Sequence, residues 1–406
     1  KSVPYVVQPE QIIPGIANYY ATAIADGYDF RSVIIKTREG RPIKVENNKE
    51  APTLGDGNAR VHASVLSMYD INRLQGPKAA GEDISWKGLY DQVGAKLKAM
   101  AVSDKPVVLL TQTFASPTTQ LIVDKFIAEF PNVSHVTYDV LSVSPALDAF
   151  EKIYGVRALA DYDFSKAETI VSIGADILGD WQGGGYDSGY AKSRVPKKHN
   201  GKTEMSFHVQ FESNMTLSGA KSDRRIPTDP ATQKKIVAQI YAQLQGVSLT
   251  NDLNPQIKKA VAKAVSRLQK SGSKAVVVSG IDDVAVQEVI LAINDHLQSE
   301  VIDTAQPKLI RQGSNQAVNK LIGDMKSGKV KGLITAGVNP SLTLPNAEAF
   351  TVALSKLELS VAFALKEDET AAASQYIAAT PHYLESWGDY EFKKGHYALA
   401  QPTIRP

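Results

Sequence analysis

The chain has 406 residues, of which 43% are hydrophobic and 22% are charged, as in ordinary soluble globular proteins. Its 45 basic and 43 acidic residues leave a net charge of +2, which gives no electrostatic reason to expect nucleic acid or an anionic membrane as a partner. The chain contains no cysteine, so its own residues cannot form disulfides, thiolate zinc sites, thiolate-held iron–sulfur clusters or cysteine nucleophiles.

Length and local pattern predict several domains that begin with β-structure. At roughly 150 residues per domain, the length indicates two or three domains. The start, with Pro4, Pro9 and Pro14, is expected to be extended. Two β-type runs at 32–37 and 42–46, separated by a Glu-Gly turn, then predict a hairpin.

From Trp86 onward, strands are predicted to alternate with helices. The predicted strands cover 106–110, 133–138, 168–174, 274–279, 332–335, 357–364 and 375–379. The predicted helices cover 116–130, 144–154, 232–244, 255–270, 283–297 and 314–325. This alternation favours right-handed βαβ crossovers and mostly parallel sheets that are covered on both faces.

Three turns after predicted strands combine small residues with polar ones. They are 111–116, 174–180 with Trp181 and Gly183, Gly184 and Gly185 following, and 337–341. In open α/β sheets, ligands bind beyond the carboxyl ends of the strands, where backbone N–H groups suit phosphate or nucleotide. Turns between strands and helices also need Gly and Asn for backbone geometry alone. None of the three is a G-x-G-x-x-G fingerprint or a P-loop.

The histidines give no zinc-helix spacing. They are His62, His135, His199, His208, His296, His382 and His396. His199 and His208 lie nine residues apart with Glu204 between them, and a surface loop followed by a sheet histidine is favoured over a metal site.

Other polar segments also have structural readings. The run Asp223-Arg224-Arg225 offers a phosphate-binding arginine or, more simply, a local salt bridge at a strand start. Asp282-Asp283 is interpreted as a helix cap. The segment around Trp387 either lines a site or interface, or holds a packed loop tryptophan.

Five segments in chain order together resemble the molybdopterin oxidoreductase family. Glu39–Asn48 reads E-G-R-P-I-K-V-E-N-N, and Ala63–Asp70 reads A-S-V-L-S-M-Y-D, with Asn72-Arg73 after it. Gly337-Val338-Asn339-Pro340 is similar to the family's G-x-N-P turn. Asp368-Glu369-Thr370-Ala371 is similar to its D-E-T-A element. Residues 382–389, H-Y-L-E-S-W-G-D, follow in the family's order.

The departures from the family pattern concern its cofactors. The usual N-terminal cysteine motif is absent, and no residue aligns with the molybdenum ligand position. Residues 374–381 depart from the expected A-D-x-x-L-P, and the family's pterin-dinucleotide domain would begin only after Pro406. In these absences, and in the stretch 14–23, which is similar to P-G-x-x-x-Y-Y-A-T, the chain resembles the B subunits of bacterial alternative complex III.

The resemblance implies an α/β fold with two interleaved Rossmann-like parallel-sheet domains of the molybdopterin oxidoreductase type and a short β-rich N-terminal piece. We expect residues 1–60 to form that piece. Residues 61–150 together with 301–406 are expected to form the first α/β domain, and residues 151–300 the second, inserted domain.

The same resemblance implies a function. We expect a non-catalytic scaffold within the iron–sulfur subunit of a membrane-bound, quinol-oxidising electron-transfer complex, with no catalytic, cofactor-binding or metal-binding residue in this chain. The chain would be a piece of a longer polypeptide whose remainder carries iron–sulfur clusters. The expected partners are a multihaem cytochrome c and integral membrane quinol-binding subunits, with no nucleic acid, at the periplasmic face of the bacterial inner membrane.

Two other functions stay open. The chain is alternatively a fragment of an active molybdenum or tungsten bis-pterin oxidoreductase of the polysulfide or thiosulfate reductase kind. It is otherwise an unrelated nucleotide-binding α/β enzyme. Whether the chain itself has an active site therefore remains open at this point.

Overall fold

The computed structural model describes residues 13–199, 202–250 and 252–405. Contacts divide the chain into two compact units. The first combines the segment up to Ser142 with the segment from Gln312 onward, and the second is Val143–Arg311. The predicted extended start at Pro4 and Pro9 lies outside the described residues.

The first segment of the first unit begins with three strands. Its elements are β1 (Ala17–Ala25), β2 (Phe30–Arg38), β3 (Arg41–Asn47), α1 (Ala59–Met68), β4 (Lys78–Ala79), β5 (Glu82–Asp83), α2 (Trp86–Val102), β6 (Val107–Thr111), α3 (Pro117–Glu129) and β7 (Val133–Thr137).

The second unit contains the middle of the chain. Its elements are α4 (Ser144–Tyr154), β8 (Leu159–Tyr162), β9 (Thr169–Ile173), α5 (Asp187–Ser193), β10 (Lys197–His199), β11 (Lys202–Glu204), β12 (Phe207–Glu212), α6 (Leu217–Lys221), β13 (Arg224–Pro227), α7 (Pro230–Leu244), α8 (Pro255–Ser271), β14 (Ala275–Ser279), α9 (Val284–His296) and β15 (Ile302–Lys308).

The chain then returns to the first unit. The elements are α10 (Asn315–Lys326), β16 (Gly332–Ala336), α11 (Pro340–Thr343), α12 (Ala347–Leu354), β17 (Leu359–Ala364), α13 (Glu369–Ala372), β18 (Tyr376–Ala379), β19 (Gly388–Lys393) and β20 (His396–Ala400).

The predicted N-terminal hairpin is confirmed as β2 and β3, and β1 adds to it in antiparallel pairing. Ile24, Val33 and Val45 are buried against α1, whose inward residues lie one turn apart. The expected extended conformation is wrong at Pro14, which lies in a turn closed by the N–H of Ile16 on the carbonyl of Ile13. Gly15, with a φ of +82°, permits that turn.

The main sheet of the first unit has seven strands in the order β5-β4-β18-β17-β16-β6-β7. The five strands from β18 to β7 are parallel. Helices α2 and α3 cover one face, and α10 and α12 cover the other. The chain runs outward from β6 to β7 on one side and from β16 through β17 to β18 on the other. The topological switch point, where open α/β sheets bind ligands, therefore lies between β6 and β16.

The second unit is built on a four-stranded parallel sheet in the order β13-β12-β9-β14. Apolar side chains of α7, α8 and α9 pack on one face. The other face is covered by residues from α4, α9 and the aromatic segment around Tyr186. Strands β8 and β15 pair with each other in antiparallel orientation and do not belong to this parallel sheet. The predicted domain bounds at 150/151 and 300/301 stay a prediction.

Candidate functional site

The turn after β6 is held by a buried carboxylate, that of Asp139. Asp139 is 4% exposed and follows β7 by two residues. Its Oδ1 accepts the backbone N–H of Thr113 at 3.2 Å, and its Oδ2 accepts the hydroxyl of Thr113 at 3.0 Å. The same Oδ2 accepts the N–H groups of Gln312 at 3.0 Å and Gly313 at 2.8 Å. Backbone N–H groups that converge in this way form a site for an anion, and here the chain's own carboxylate occupies it.

The N-terminus of α3 is occupied in the same manner. Ser116 caps the helix by accepting the N–H of Thr119 at 3.0 Å, and Pro117 starts it, as the sequence predicts. The Ser116 hydroxyl also donates to Asp389 Oδ1 at 2.9 Å. Asp389 Oδ2 accepts the N–H of Thr118 at 3.2 Å and its hydroxyl at 3.0 Å. A second carboxylate thus lies where a helix N-terminus would attract phosphate.

At the switch point, a glutamine side chain fills the space between two glycines. Gln112 follows β6, and Gly337 follows β16 with a φ of +68°. A Cβ added to Gly337 would lie 2.7 Å from Gln112 Cδ. A Cβ added to Gly27, in the turn between β1 and β2, would lie 2.4 Å from Gln112 Oε1. Both glycines therefore permit the close approach of this amide, which takes up room at the mouth of the crevice.

The side-chain amide of Asn339 is engaged by its neighbours. Asn339 Oδ1 accepts the backbone N–H of Thr370 at 3.1 Å and its hydroxyl at 2.8 Å. Asn339 Nδ2 donates to Glu369 Oε2 at 2.7 Å, and this hydrogen bond lowers the pKa of Glu369. The N–H of Ser341 donates to the Thr370 hydroxyl at 3.0 Å. Two segments that carry the family resemblance, G-V-N-P and D-E-T-A, are thus joined to each other.

Two more segments of that resemblance, 63–73 and 382–389, meet around His382. Its Nε2 lies 2.9 Å from the Ser67 hydroxyl, and Arg73 forms a bidentate ion pair with Glu385. The backbone N–H of His382 donates to Glu385 Oε2 at 2.8 Å, which completes a capping box. Burial lowers the pKa of His382 to about 4, so the imidazole is neutral at pH 7. This arrangement packs two segments together that lie more than 300 residues apart in the sequence.

In the second unit, the turn after β9 is also used internally. Asp176 Oδ1 accepts the Ser218 N–H at 3.0 Å and its hydroxyl at 2.6 Å. Gly174 has a φ of +69°, and a Cβ there would lie 2.7 Å from Gln233 Oε1. Trp181, farther along the turn, donates its indole N–H to the carbonyl of Ser279 at 3.1 Å. Gly183, Gly184 and Gly185 all have positive φ, which accounts for the glycine run in that turn.

The run Asp223-Arg224-Arg225 forms salt bridges at the start of β13, as predicted, but the expectation that they are local is wrong. Asp223 pairs bidentately with Arg194, with oxygen–nitrogen distances of 2.6 and 3.0 Å. Arg225 pairs with Glu212 at 2.5 Å. The partners lie 29 and 13 residues away in sequence, so the contacts are not local. Asp283 caps α9 through the N–H of Val286 at 3.2 Å, which confirms the predicted cap.

The histidines do not converge. Over residues 13–199, 202–250 and 252–405, no group of three or more His, Asp or Glu residues could hold a metal ion. His208 lies in β12, which confirms the predicted sheet histidine, whereas the side chain of His199 lies outside the described residues. Trp387 is 75% exposed, so the interpretation as a packed loop tryptophan is wrong. The exposed side chain follows from its place just before β19, on an outward-facing position.

An apolar cavity of about 390 Å³ lies between α2 and α3 on one face of the seven-stranded sheet. Aromatic and aliphatic side chains line it, among them Trp86, Tyr90, Phe126, Ile334 and Phe363. It carries no charged or nucleophilic side chain. The cavity is therefore not part of the polar turns that the sequence singles out.

Comparison with solved structures places the fold. The chain is similar to acetylene hydratase from Pelobacter acetylenicus, with a TM-score of 0.69 and 12% identity over 95% of this chain and 67% of that one. It is also similar to a chain of the formyltransferase/hydrolase complex from Methylorubrum extorquens, solved with methylofuran. That match has a TM-score of 0.52 and 12% identity, over 80% of this chain and 93% of that one. The sequence matches no protein-family model and no curated protein.

These similarities establish the fold. The mixed α/β architecture, with parallel sheets and an antiparallel N-terminal sheet, is molybdopterin-enzyme-like, as the sequence predicts. Within the described part of the chain, no helix has the length and hydrophobicity needed to cross a membrane.

Proposed function

We propose that this chain is a non-catalytic, molybdopterin-enzyme-like scaffold domain of the iron–sulfur subunit in a membrane-bound, quinol-oxidising complex of the alternative complex III type. The fold supports the statement that the domain is molybdopterin-enzyme-like. The link to a respiratory complex rests on the resemblance of residues 14–23 and on the family features that the chain lacks.

The observation that carries the proposal is the carboxylate of Asp139 among backbone N–H groups. A pterin dinucleotide brings phosphates, which bind to converging N–H groups and helix N-termini. Here Asp139 takes the N–H groups of Thr113, Gln312 and Gly313, and Asp389 takes the start of α3. An incoming phosphate would meet like charge, and two unit charges 4 Å apart repel by about 1 to 4 kcal/mol near a protein surface.

The residues present therefore do not fit the cofactor that the fold family implies. Besides the occupied N–H groups, the amide of Gln112 fills the space between Gly27 and Gly337 at the switch point. Asn339, which the sequence offers as a contact residue, has its amide engaged by Thr370 and Glu369. The Asn339 turn thus contacts the start of α13 and has no free amide group for a ligand.

In this proposal, electrons pass through groups outside this chain. Iron–sulfur clusters would lie in the remainder of the subunit, and the domain would bind a multihaem cytochrome c and integral membrane quinol-binding subunits at the periplasmic face. The β19–β20 hairpin offers a surface for such contacts, because Trp387, Tyr397 and Leu399 are each at least 68% exposed.

The test is metal and pterin analysis of the full-length protein purified from its native membrane. We expect iron without stoichiometric molybdenum or tungsten, and no fluorescent pterin product after acid oxidation. A molybdenum enzyme purified from the same cells serves as the control for cofactor supply. Stoichiometric molybdenum or tungsten would contradict the proposal and favour the alternative, an active bis-pterin oxidoreductase.

A further inference from the structure

Helix α8 carries a strongly basic outer face. Its 17 residues include Lys258, Lys259, Lys263, Arg267 and Lys270 and no acidic residue. The opposite face packs Val261, Ala264, Val265 and Leu268 into the core of the second unit. The basic side chains therefore point away from the core, and the net charge of +2 for the whole chain conceals this local excess.

The cations form a straight row. Lys259, Lys263, Arg267 and Lys270 are spaced by four, four and three residues, so they share one side of the helix. At 1.5 Å per residue, the row is about 16 Å long. The guanidinium of Arg267 lies over the ring of Phe207, 3.5 Å from its centroid, and this contact fixes the centre of the row.

The row is not neutralised by the protein. On other helices, some exposed lysines pair with an aspartate four residues away, as Lys87 does with Asp91 at 2.5 Å and Lys320 with Asp324 at 2.6 Å. On α7, Lys234 and Lys235 pair with aspartates of other segments. Across the described residues, Lys259, Lys263 and Lys270 have no such partner. Like charges four residues apart destabilise a helix, so the row is best satisfied by an anion from outside.

The residues between the cations indicate which class of anionic partner fits this face of α8. The remaining exposed positions of α8 are small or polar: Gln256, Ala262, Ser266 and Gln269. Protein–protein interfaces are depleted in lysine and depend on buried aromatic or aliphatic anchors, which this face lacks. Single-stranded nucleic acid is held by stacking aromatic side chains, which are also absent from the row. A layer of phospholipid headgroups needs neither, because it attracts flexible lysines by charge alone.

We infer that the outer face of α8 is a docking surface for anionic phospholipid headgroups. The straight row on a rigid helix presents its charges along a line that a planar membrane surface can meet at every position. Attraction of this kind is electrostatic and shallow, with no inserted side chain. It is therefore weakened by salt, whose screening length falls to about 3 Å at 1 M. This inference goes beyond the proposed function and does not depend on it.

The experiment is co-sedimentation of the 406-residue chain with vesicles of phosphatidylcholine containing about one third phosphatidylglycerol, in ~0.05 M salt. The test variant is Lys259→Gln/Lys263→Gln/Lys270→Gln. The matched control, Lys98→Gln/Lys125→Gln/Lys326→Gln, removes the same charge from exposed positions on α2, α3 and α10. We expect binding by the unmodified chain that is lost in ~0.5 M salt and on pure phosphatidylcholine. Each cation near an anionic surface strengthens binding about fivefold, so the α8 variant should bind the vesicles about 100-fold more weakly than the unmodified chain. The affinity of the control should stay within a few-fold of that of the unmodified chain.

Two outcomes would overturn the inference. One is equal loss of binding in both variants, since the effect would then follow from net charge and not from α8. The other is an absence of vesicle binding by the unmodified chain, whether or not it binds soluble polyglutamate or DNA. A circular dichroism spectrum that matches between the variants excludes unfolding as the cause. Neither negative outcome bears on the metal and pterin content by which the scaffold function is tested.

Discussion

His208 shows how a single buried residue couples the stability of this protein to pH. It is fully buried in β12, where its Nε2–H donates to Gln210 Oε1 at 3.0 Å. Gln210 Nε2 donates to the carbonyl of Ala175 at 3.0 Å, which assigns its oxygen to the histidine and the ring proton to Nε2. Nδ1 is then the acceptor facing the Tyr190 hydroxyl at 3.1 Å. Burial lowers the pKa of His208 to about 4.

We predict that the free energy of unfolding falls between pH 7 and pH 5. A histidine whose folded pKa lies below its unfolded value of about 6.5 binds its proton in the unfolded state first, so acid favours unfolding. For a pKa of about 4, the loss at pH 5 is about 2 kcal/mol for His208 and a similar amount for His382. Urea unfolding at several pH values between 5 and 7 measures this decline in the free energy of unfolding.

The matched variants separate His208 from the rest of the protein. His208→Gln should remove about half of the decline between pH 7 and pH 5, even if it lowers the stability at pH 7. His296→Gln, at an exposed position, is the control for the substitution itself. A decline of the same size in both variants would show that other groups cause it.

For the candidate site, the sequence predicts the turns but not the carboxylate that fills one of them. The turns after β6, β9 and β16 were found, because Gly and polar residues after an apolar run are a local signal. Asp139 was missed, because its partners Gln312 and Gly313 lie 173 and 174 residues away. Nothing near Asp139 in the sequence indicates that its carboxylate fills an anion site.

Among the elements, the six helices predicted between 116 and 325 and the apolar strands are confirmed, whereas α1, α2, α12 and the range of the polar strand β12 were not predicted. Pro at the first turn marks α3, α4 and α8 correctly, whereas α7 begins at Pro230, two residues before its predicted start. Strands β6, β9 and β14 are buried along their full length. The range of strand β12 was not predicted, although the sequence analysis places His208 in a sheet and the strand is central in its own sheet. Its residues His208, Gln210 and Glu212 are polar and buried, while Phe207, Val209 and Phe211 alternate with them on the apolar side.

The ends of β9 and β14 give a test at this scale. The N–H of Gly280 donates to the carbonyl of Ile173 at 2.9 Å, and a Cβ at Gly280 would lie 2.2 Å from the carbonyl oxygen of Gly174. Both neighbours are backbone, so the two strand ends would have to separate. We predict that Gly280→Ala lowers the free energy of unfolding by about 2 kcal/mol or more, as measured by urea denaturation.

Gly323 supplies the control. It lies on the exposed side of α10, and a Cβ there would meet nothing within 4 Å. Gly323→Ala should therefore raise the stability by about 0.5 to 1 kcal/mol, because alanine loses less conformational entropy in a helix. Equal effects of the two substitutions, in either direction, would contradict the close approach of β9 and β14.

For the whole molecule, the second unit has the properties of an independent folding domain. Both of its apolar clusters draw their members from within Val143–Arg311, one from residues 171–297 and the other from residues 149–309. Its four-stranded parallel sheet is thus covered on both faces by the segment's own side chains. The family resemblance places this domain at 151–300, and those bounds stay a prediction.

We predict that a fragment comprising residues 143–311 folds alone with one cooperative urea transition, whereas the sequence-derived fragment 151–300 does not. The shorter fragment lacks Ala149 and Phe150 of α4, together with Val301 and strand β15, all of which cover the aromatic side of the sheet. Their loss would expose Tyr162, Phe164 and Tyr186 and leave β8 without its partner strand. Deleting one buried Phe side chain costs about 3 to 5 kcal/mol, and a domain has only about 5 to 15 kcal/mol in total. In NMR spectra we expect well-dispersed amide resonances for the 143–311 fragment and poorly dispersed ones for the 151–300 fragment. If both fragments unfold with equal cooperativity, the prediction is wrong and the domain boundary lies inside α4.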